Sequence, residues 1–162
     1  MTETLDTTVD FRATMSRLVT GVSVITTCSG STPIGMTASA VSALSLDPLQ
    51  LLVCISNQLY TRTAIAAHGR FAVNILGEDS ESLARNFAVS KQDKFAGVET
   101  FDDHGVPVLK DAIAAVVCDV AEALPGGDHT IFVGDVRYCA YKVDCRPLVH
   151  FAGGFGTLRS SN

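Results

Sequence analysis

The stretch GMTASAVSALSLDP, residues 35–48, places Thr37, Ser39, Ser42 and Ser45 among small apolar residues, with no charge before Asp47. No Asp, Glu, Lys or Arg occurs anywhere between Arg17 and Asp47, so this part of the chain is expected to be covered by the fold, by an interface or by a ligand. In a strand, Thr37 and Ser39 share one face, and Met36, Ala38 and Ala40 share the other. The alternation breaks near Val41, which predicts a bulge or bend, so Ser42 and Ser45 need not extend the row. Small side chains at such a bend let a flat ligand approach the backbone, and hydroxyls with backbone N–H groups can hold its oxygens without a buried cation. The competing reading is a strand whose Ser and Thr hydroxyls bond only to neighbouring backbone.

The flanking sequence is read outward from there. Asp10 can cap a short helix predicted through Val19, with Phe11, Met15, Leu18 and Val19 on one face. VSVITT (22–27) is a strand, CSGSTP (28–33) a turn, and the next strand begins at Ile34. LQLLVCI (49–55) is apolar enough for a strand buried on both faces. A helix over 61–68 stops at Gly69, and RFAVNIL (70–76) alternates as a strand. A second helix spans 78–88, with Leu83 and Phe87 on its buried side. Residues 90–95 form a basic loop or short helix, and 97–109 read as irregular. Segment 112–124 is a strand, PGGD (125–128) a turn, 129–143 one long strand or two, and PLVHF (147–151) the last strand. The chain ends, 1–8 and 157–162, are expected to be flexible. Six or seven strands and two or three short helices, with no βαβ rhythm and no G-x-G-x-x-G, argue for a mainly β barrel or sandwich in a single domain, 1–162, and against a Rossmann sheet.

Charged residues make up only 18% of the 162, which points to surface hidden in an oligomer. A net charge of −5 argues against nucleic-acid and anionic-membrane partners, and an anionic ligand would need local dipoles or cations. The five cysteines form no C-x-x-C, and acids interrupt the start where a signal peptide would lie. No apolar run is long enough to span a membrane. Reduced thiols and a cytoplasmic setting are therefore expected.

Several residues stand out. Asn74 lies inside an apolar strand, where a buried amide needs either a ligand or backbone partners. Arg85, Lys91 and Lys94 could meet a phosphate or form a solvated basic face. His129 opens a strand after Gly126, Gly127 and Asp128, where it can line a pocket or simply cap the turn. His68, His104 and His150 show no metal-ligand spacing, and no metal site is expected. AGGFG (152–156) is either a chain end or a backbone that approaches a ligand.

Taken in order, FRATMSRLVTGVSVITT, PIGMTASAVSALSLDP, LLVCIS, RFAVNIL, LARNFA with DKFAG, GGDHTIFVGDV and PLVHFAGGF resemble the flavin reductases of two-component monooxygenase systems, from about Phe11 to Phe155. The resemblance implies a split β-barrel of the FMN-binding, Greek-key type, in a homodimer with flavin near the subunit interface. It implies an NAD(P)H:flavin oxidoreductase that reduces FAD or FMN and passes the product, by diffusion, to a flavin-dependent monooxygenase component. It places Met36, Thr37, Ala38, Ser39, Ala40 and Ser42 along the ribityl chain and phosphate. Cys54, Ile55 and Ser56 lie against the isoalloxazine, Thr61 beside the phosphates, and Asn74 and Leu76 on the strand bordering the ring. Arg85, with Lys91 or Lys94, balances phosphate charge. His129, the catalytic candidate, forms the nicotinamide pocket with Gly153, Gly154 and Phe155. Lacking an arginine pair for a 2′-phosphate, the chain favours NADH over NADPH. The sequence leaves two rivals on the same scaffold: a non-enzymatic flavin-binding protein, and an oxidase that retains its flavin.

Overall fold

The computed structural model describes residues 7–90 and 93–159. After α1 (Thr7–Met15) and a two-residue strand β1 (Thr20–Gly21), β2 (Ser23–Ser29) and β3 (Thr32–Ala38) form a hairpin. A second hairpin, β4 (Val41–Leu46) and β5 (Leu49–Ser56), leads to α2 (Tyr60–His68) and β6 (Arg70–Ile75). A 3-10 turn (Glu78–Ser80) runs into α3 (Glu81–Ala88). The hairpin β7 (Thr100–Asp103) and β8 (Val106–Leu109), the long strands β9 (Ala114–Gly126) and β10 (His129–Tyr141), and the hairpin β11 (Leu148–Phe151) and β12 (Gly154–Thr157) complete the chain.

Seven strands form one antiparallel sheet in the order β3-β2-β6-β9-β10-β5-β4. Its two edges, β3 and β4, are consecutive in sequence, joined only by Ser39 and Ala40. Laid flat, six inter-strand gaps of about 4.8 Å would hold those edges about 29 Å apart. Ala38 and Val41 are three peptide steps apart, at most about 11 Å. The sheet must therefore curl until its edges meet at the break in alternation. The bend is pinned there: the Val41 amide donates to the Ser39 carbonyl (3.0 Å), and the Cys54 amide to the Ala40 carbonyl (3.0 Å).

Alternation along each strand divides the core. Ile25, Val53, Ile55, Phe71, Val73 and Phe132 pack inside the curl with Ile65 of α2. Val22 and Val24, facing the other way from β2, pack with Leu76, Ala84, Phe87, Leu109 and Leu148 beneath α3. Ala72, Val106, Val108, Ala115 and Val117 form a third cluster under β8. Gly35 is required for the α3 contact, because a Cβ there would lie 2.7 Å from Phe87 Cε1.

Several expectations need correction. The first helix ends at Met15 rather than Val19, and Phe11, Met15, Leu18 and Val19 are 45–64% exposed, with nothing among the described residues covering them. β5 is fully buried on one face only; its residues alternate between enclosed and partly open. The segment 97–109 is not irregular: His104 and Gly105 take positive φ (53° and 82°) and turn β7 into β8. Pro107 is tolerated in β8 because that strand pairs only with β7. Of the residues at the two ends, Thr7 and Thr8 lie in α1 and Thr157 pairs with Leu148, while 1–6 and 160–162 lie outside the described residues.

Cys118 and Asp119, neighbours on β9, are both displaced from their ordinary range. Burial, with the nearby charges of Asp119 and Asp135, pushes the Cys118 thiol up to about 12, which keeps it protonated. The Asp119 carboxyl is held below its ordinary value, first by the Arg70 hydrogen bond (Nε to Oδ1, 2.5 Å) and also by Arg137 (Nε to Oδ2, 2.6 Å). A depressed folded-state pKa contributes stability that is present above the unfolded value of 3.8 and is lost as pH falls through the folded one. Because the pair is partly solvated, the contribution is about 1 kcal/mol. Asp119→Asn should lower stability by that amount at pH 7, with the gap to wild type closing below about pH 4 in urea titrations run across pH.

Candidate functional site

A cleft of about 680 Å³ opens beside β3. β3 (Thr32 to Thr37) forms its floor, Leu59, Tyr60 and Thr61 at the start of α2 one wall, and Phe87 to Ser90 with Asp93 to Phe95 the other. β3 pairs only with β2, so its outer edge faces the cleft. Lys94 Nζ donates to the outward Gly35 carbonyl (3.2 Å) and to the Phe87 carbonyl (3.1 Å). Thr37 lies two residues on, so its backbone groups share that outward edge.

α2 begins without a side-chain cap or an acid in its first turn. Its first N–H groups carry partial positive charge. Thr61 is 5% exposed, lines the cleft, and its hydroxyl has no partner among the described residues. A solvent-accessible hydroxyl at the cleft wall beside uncapped N–H groups can meet anionic oxygens.

Other predicted residues gather on the outer face of β5 and β10. Ile55 points inward and is fully buried, which leaves Cys54 and Ser56 on the outer side. Ser56 is opposite His129, and Cys54 opposite Ile131. Ser39 and Ala40 are exposed at the bend beside Cys54, and Ser42 on β4 is opposite Leu52. The His129 Nδ1 lies 2.7 Å from Asp128 Oδ1. That hydrogen bond is the main cause holding the Asp128 carboxyl below its ordinary range, with a smaller contribution from the Arg12 guanidinium. The His129 Nε2 has no partner among the described residues, so it is the nitrogen that can meet a ligand.

A third group forms where α3 meets the last hairpin. The Arg85 guanidinium sits 5.0 Å over the Phe155 ring, and His150 meets the same ring edge-on at 5.6 Å. Arg85 also pairs with Glu81 (2.7 Å). Gly153, at φ 82°, makes the turn that brings Gly154 and Phe155 back along β11.

The sequence expectations divide accordingly. Met36, Thr37, Thr61 and Lys94 line the cleft. Ser39, Ala40, Ser42, Cys54, Ser56 and His129 lie on the outer face, and Arg85, Gly153, Gly154 and Phe155 at the hairpin. The side chains of Ile55, Asn74 and Leu76 are fully enclosed in the protein, and Ala38 is 8% exposed. Asn74 is fully satisfied: its Nδ2 donates to the Val24 carbonyl and Thr26 Oγ1 (3.0 Å each), and its Oδ1 accepts from the Leu109 amide (2.8 Å). The Thr37 hydroxyl donates to the Ala84 carbonyl (2.6 Å) and ties β3 to α3, so at this position the backbone-bonding reading of the hydroxyl row holds. Lys91 lies outside the described residues.

Sequence reasoning missed Asn57 and Tyr60. The Asn57 amide donates to the Asp128 carbonyl (2.9 Å) and its Oδ1 accepts from Thr130 Oγ1 (2.7 Å), so it holds the turn bearing His129 against β5. Tyr60 forms part of the cleft wall; its signal was a large aromatic residue opening a helix with only the small Ala64 at i+4.

The flavin reductase like domain family matches residues 15–159. The chain belongs to that family. It is 39% identical over 147 residues to the reductase component of 4-nitrophenol 4-monooxygenase/4-nitrocatechol 2-monooxygenase from Rhodococcus opacus, covering 91% of this chain and 79% of that one. It is 36% identical over 155 residues to an NADH-dependent flavin reductase from a Rhodococcus species, covering 94% and 87%. Among solved structures, the NADH:FAD oxidoreductase SgcE6 of Streptomyces globisporus C-1027, in complex with NAD and FAD fragments, superposes with a TM-score of 0.91 at 30% identity over 98% of each chain.

Proposed function

We propose that this protein is an NADH-dependent flavin reductase that reduces FAD or FMN and supplies the product to a separate flavin-dependent monooxygenase by diffusion. The observation that carries the reading is the unpartnered Thr61 hydroxyl at the uncapped start of α2, facing a cleft floored by the outer edge of β3. Flavin phosphate oxygens would be held there, with Lys94 adding a fixed positive charge. The isoalloxazine would lie over Ser39 and Ala40 toward Cys54 and Ser56, and the nicotinamide beside His129 and the Gly153–Phe155 hairpin. When bound, the two cofactors supply hydride donor and acceptor. The protein's part is to hold two flat rings so that the reacting atoms come within about 3.5 Å, and no side-chain nucleophile is needed for that. The His129 Nε2 would orient the nicotinamide, while Asp128 fixes the imidazole through Nδ1.

The curled sheet, with its edges meeting at the bend, supports reading the fold as a split barrel. The 45–64% exposure of Phe11, Met15, Leu18 and Val19, and the 87% exposure of Leu46, support a homodimer that covers these faces. The acidic, thiol-bearing chain fits a cytoplasmic protein; among the described residues no helix is long and apolar enough to cross a membrane. NADH oxidation by catalytic amounts of protein, with FAD, FMN or riboflavin added in turn, tests the reading. The rate should rise with flavin concentration and saturate, whereas a flavin carrier or a flavin-retaining oxidase would show no such dependence.

A further inference from the structure

His129 and Thr130 are neighbours at the start of β10, and alternation sends them to opposite faces. The imidazole stands on the outer side, while Thr130, 6% exposed, shares the inner face with Phe132. The Thr130 hydroxyl has two partners there. It donates to Asn57 Oδ1 (2.7 Å) and accepts from Arg62 Nε (3.1 Å). A hydroxyl carries one proton and a guanidinium cannot accept, so the bonds run in one direction, from Arg62 through Thr130 to Asn57.

The bonds end on the turn that precedes the histidine. The Asn57 backbone amide donates to the Asp128 carbonyl (2.9 Å), and its Nδ2 to the Gly127 carbonyl (3.4 Å). From His129 onward, β10 is held between β9 and β5. Gly127 and Asp128 lie outside that ladder, and Asn57 is their tether to the end of β5. The Asp128 side chain is 92% exposed, so the backbone of the turn sets where its carboxylate stands. That carboxylate meets the His129 Nδ1 at 2.7 Å. At the other end, Arg62 follows Thr61 in α2, so a single helical turn carries both the anion site and the first donor of the network. A charged donor strengthens its own bond to the hydroxyl and, by polarising it, the next bond to Asn57.

We propose that Thr130 is a positioning residue for NADH: its inward hydroxyl, held by Arg62 of α2, fixes through Asn57 the turn that aims the His129 Nε2 at the nicotinamide. The inference rests on the reading of His129 as the nicotinamide contact. Thr130 acts only through that histidine, from the opposite face of the strand.

The test is NADH oxidation with FAD and with FMN, by steady-state and stopped-flow kinetics, for wild type, Thr130→Val, Thr130→Ser and Arg62→Met, each alone and combined with His129→Ala. Thr130→Val keeps the shape and removes the hydroxyl. It should raise the NADH KM or slow hydride transfer by roughly 3- to 10-fold, the scale of one lost hydrogen bond, with the flavin Kd within about twofold. Thr130→Ser keeps the hydroxyl and should stay within about twofold of wild type. Arg62→Met removes the charged donor and should reproduce part of the Thr130→Val effect. In the His129→Ala background these changes should have no further effect on NADH kinetics, because the group they position is gone. Equal losses in both backgrounds would make Thr130 a structural residue only and overturn the inference. Unchanged NADH kinetics in folded Thr130→Val, with His129→Ala impaired, would overturn it and leave the histidine in its site. Unchanged kinetics in His129→Ala would overturn both. Should Thr130→Val not fold, Arg62→Met, at a partly exposed position, carries the same comparison.

Discussion

Asn74→Ala should destabilise the fold by about 3 kcal/mol and lower the melting temperature by roughly 6–12 °C, while flavin affinity in the folded fraction stays unchanged. The amide is wholly buried and its three hydrogen bonds join β2, β6 and the end of β8. Truncation strands the Leu109 N–H, in a residue only 2% exposed, and leaves the Val24 carbonyl and Thr26 hydroxyl without the amide donor. Each buried polar group so left costs about 1–3 kcal/mol, and the lost volume adds to this. Asn74→Asp separates the two contributions. It keeps the acceptor for Leu109 and nearly all the volume but sets a carboxylate oxygen against the Val24 carbonyl, so it should be at least as damaging as Ala. Thermal melts and flavin titrations of the two variants decide between roles: a raised flavin Kd with an unchanged melting temperature would return Asn74 to the binding site.

His129→Ala should produce the largest change in catalysis, a rise in the NADH KM or a fall in the hydride-transfer rate of roughly 5- to 30-fold, with the flavin Kd within about twofold. This is the scale of one lost hydrogen bond of about 1–2 kcal/mol. His129 opens β10 opposite Ser56, and Asn57 and Asp128 fix its turn. The Nε2 is left as the group able to meet the second substrate. Stopped-flow reduction of bound flavin across NADH concentrations separates a binding defect from a rate defect. Normal kinetics in a folded variant would reduce the histidine to a turn cap.

The bend that organises the molecule was legible because it interrupts a period: alternation through Met36–Ala40 fails near Val41, and that is where β3 gives way to β4. The stop at Gly69 was legible for a local reason, since its left-handed conformation (φ 77°) closes α2 with a hydrogen bond to the Ile65 carbonyl. What local pattern could not reveal was which partner satisfies a polar group. Asn74 in an apolar strand looks the same whether it faces a flavin or the Leu109 amide, 35 residues away. The Thr37 hydroxyl likewise looks free until α3 folds over it and offers the Ala84 carbonyl. The cleft was invisible because β3, the start of α2 and the segment after α3 meet only in the tertiary fold. The β7–β8 hairpin was hidden by a turn of His104 and Gly105 and by a proline inside a strand. The apolar residues of the first helix show the same limit from the other side: their spacing puts Phe11 and Met15 on one face, and among the described residues no surface covers them.

The most direct measurement is anaerobic reduction of excess free flavin by NADH with substoichiometric protein, followed by loss of flavin absorbance. Many equivalents of flavin should be bleached per protein, with one NADH consumed for each and a rate proportional to protein concentration. Bleaching that stops at one equivalent, or a rate no faster than NADH and flavin alone, would contradict the assignment of this protein as a flavin reductase.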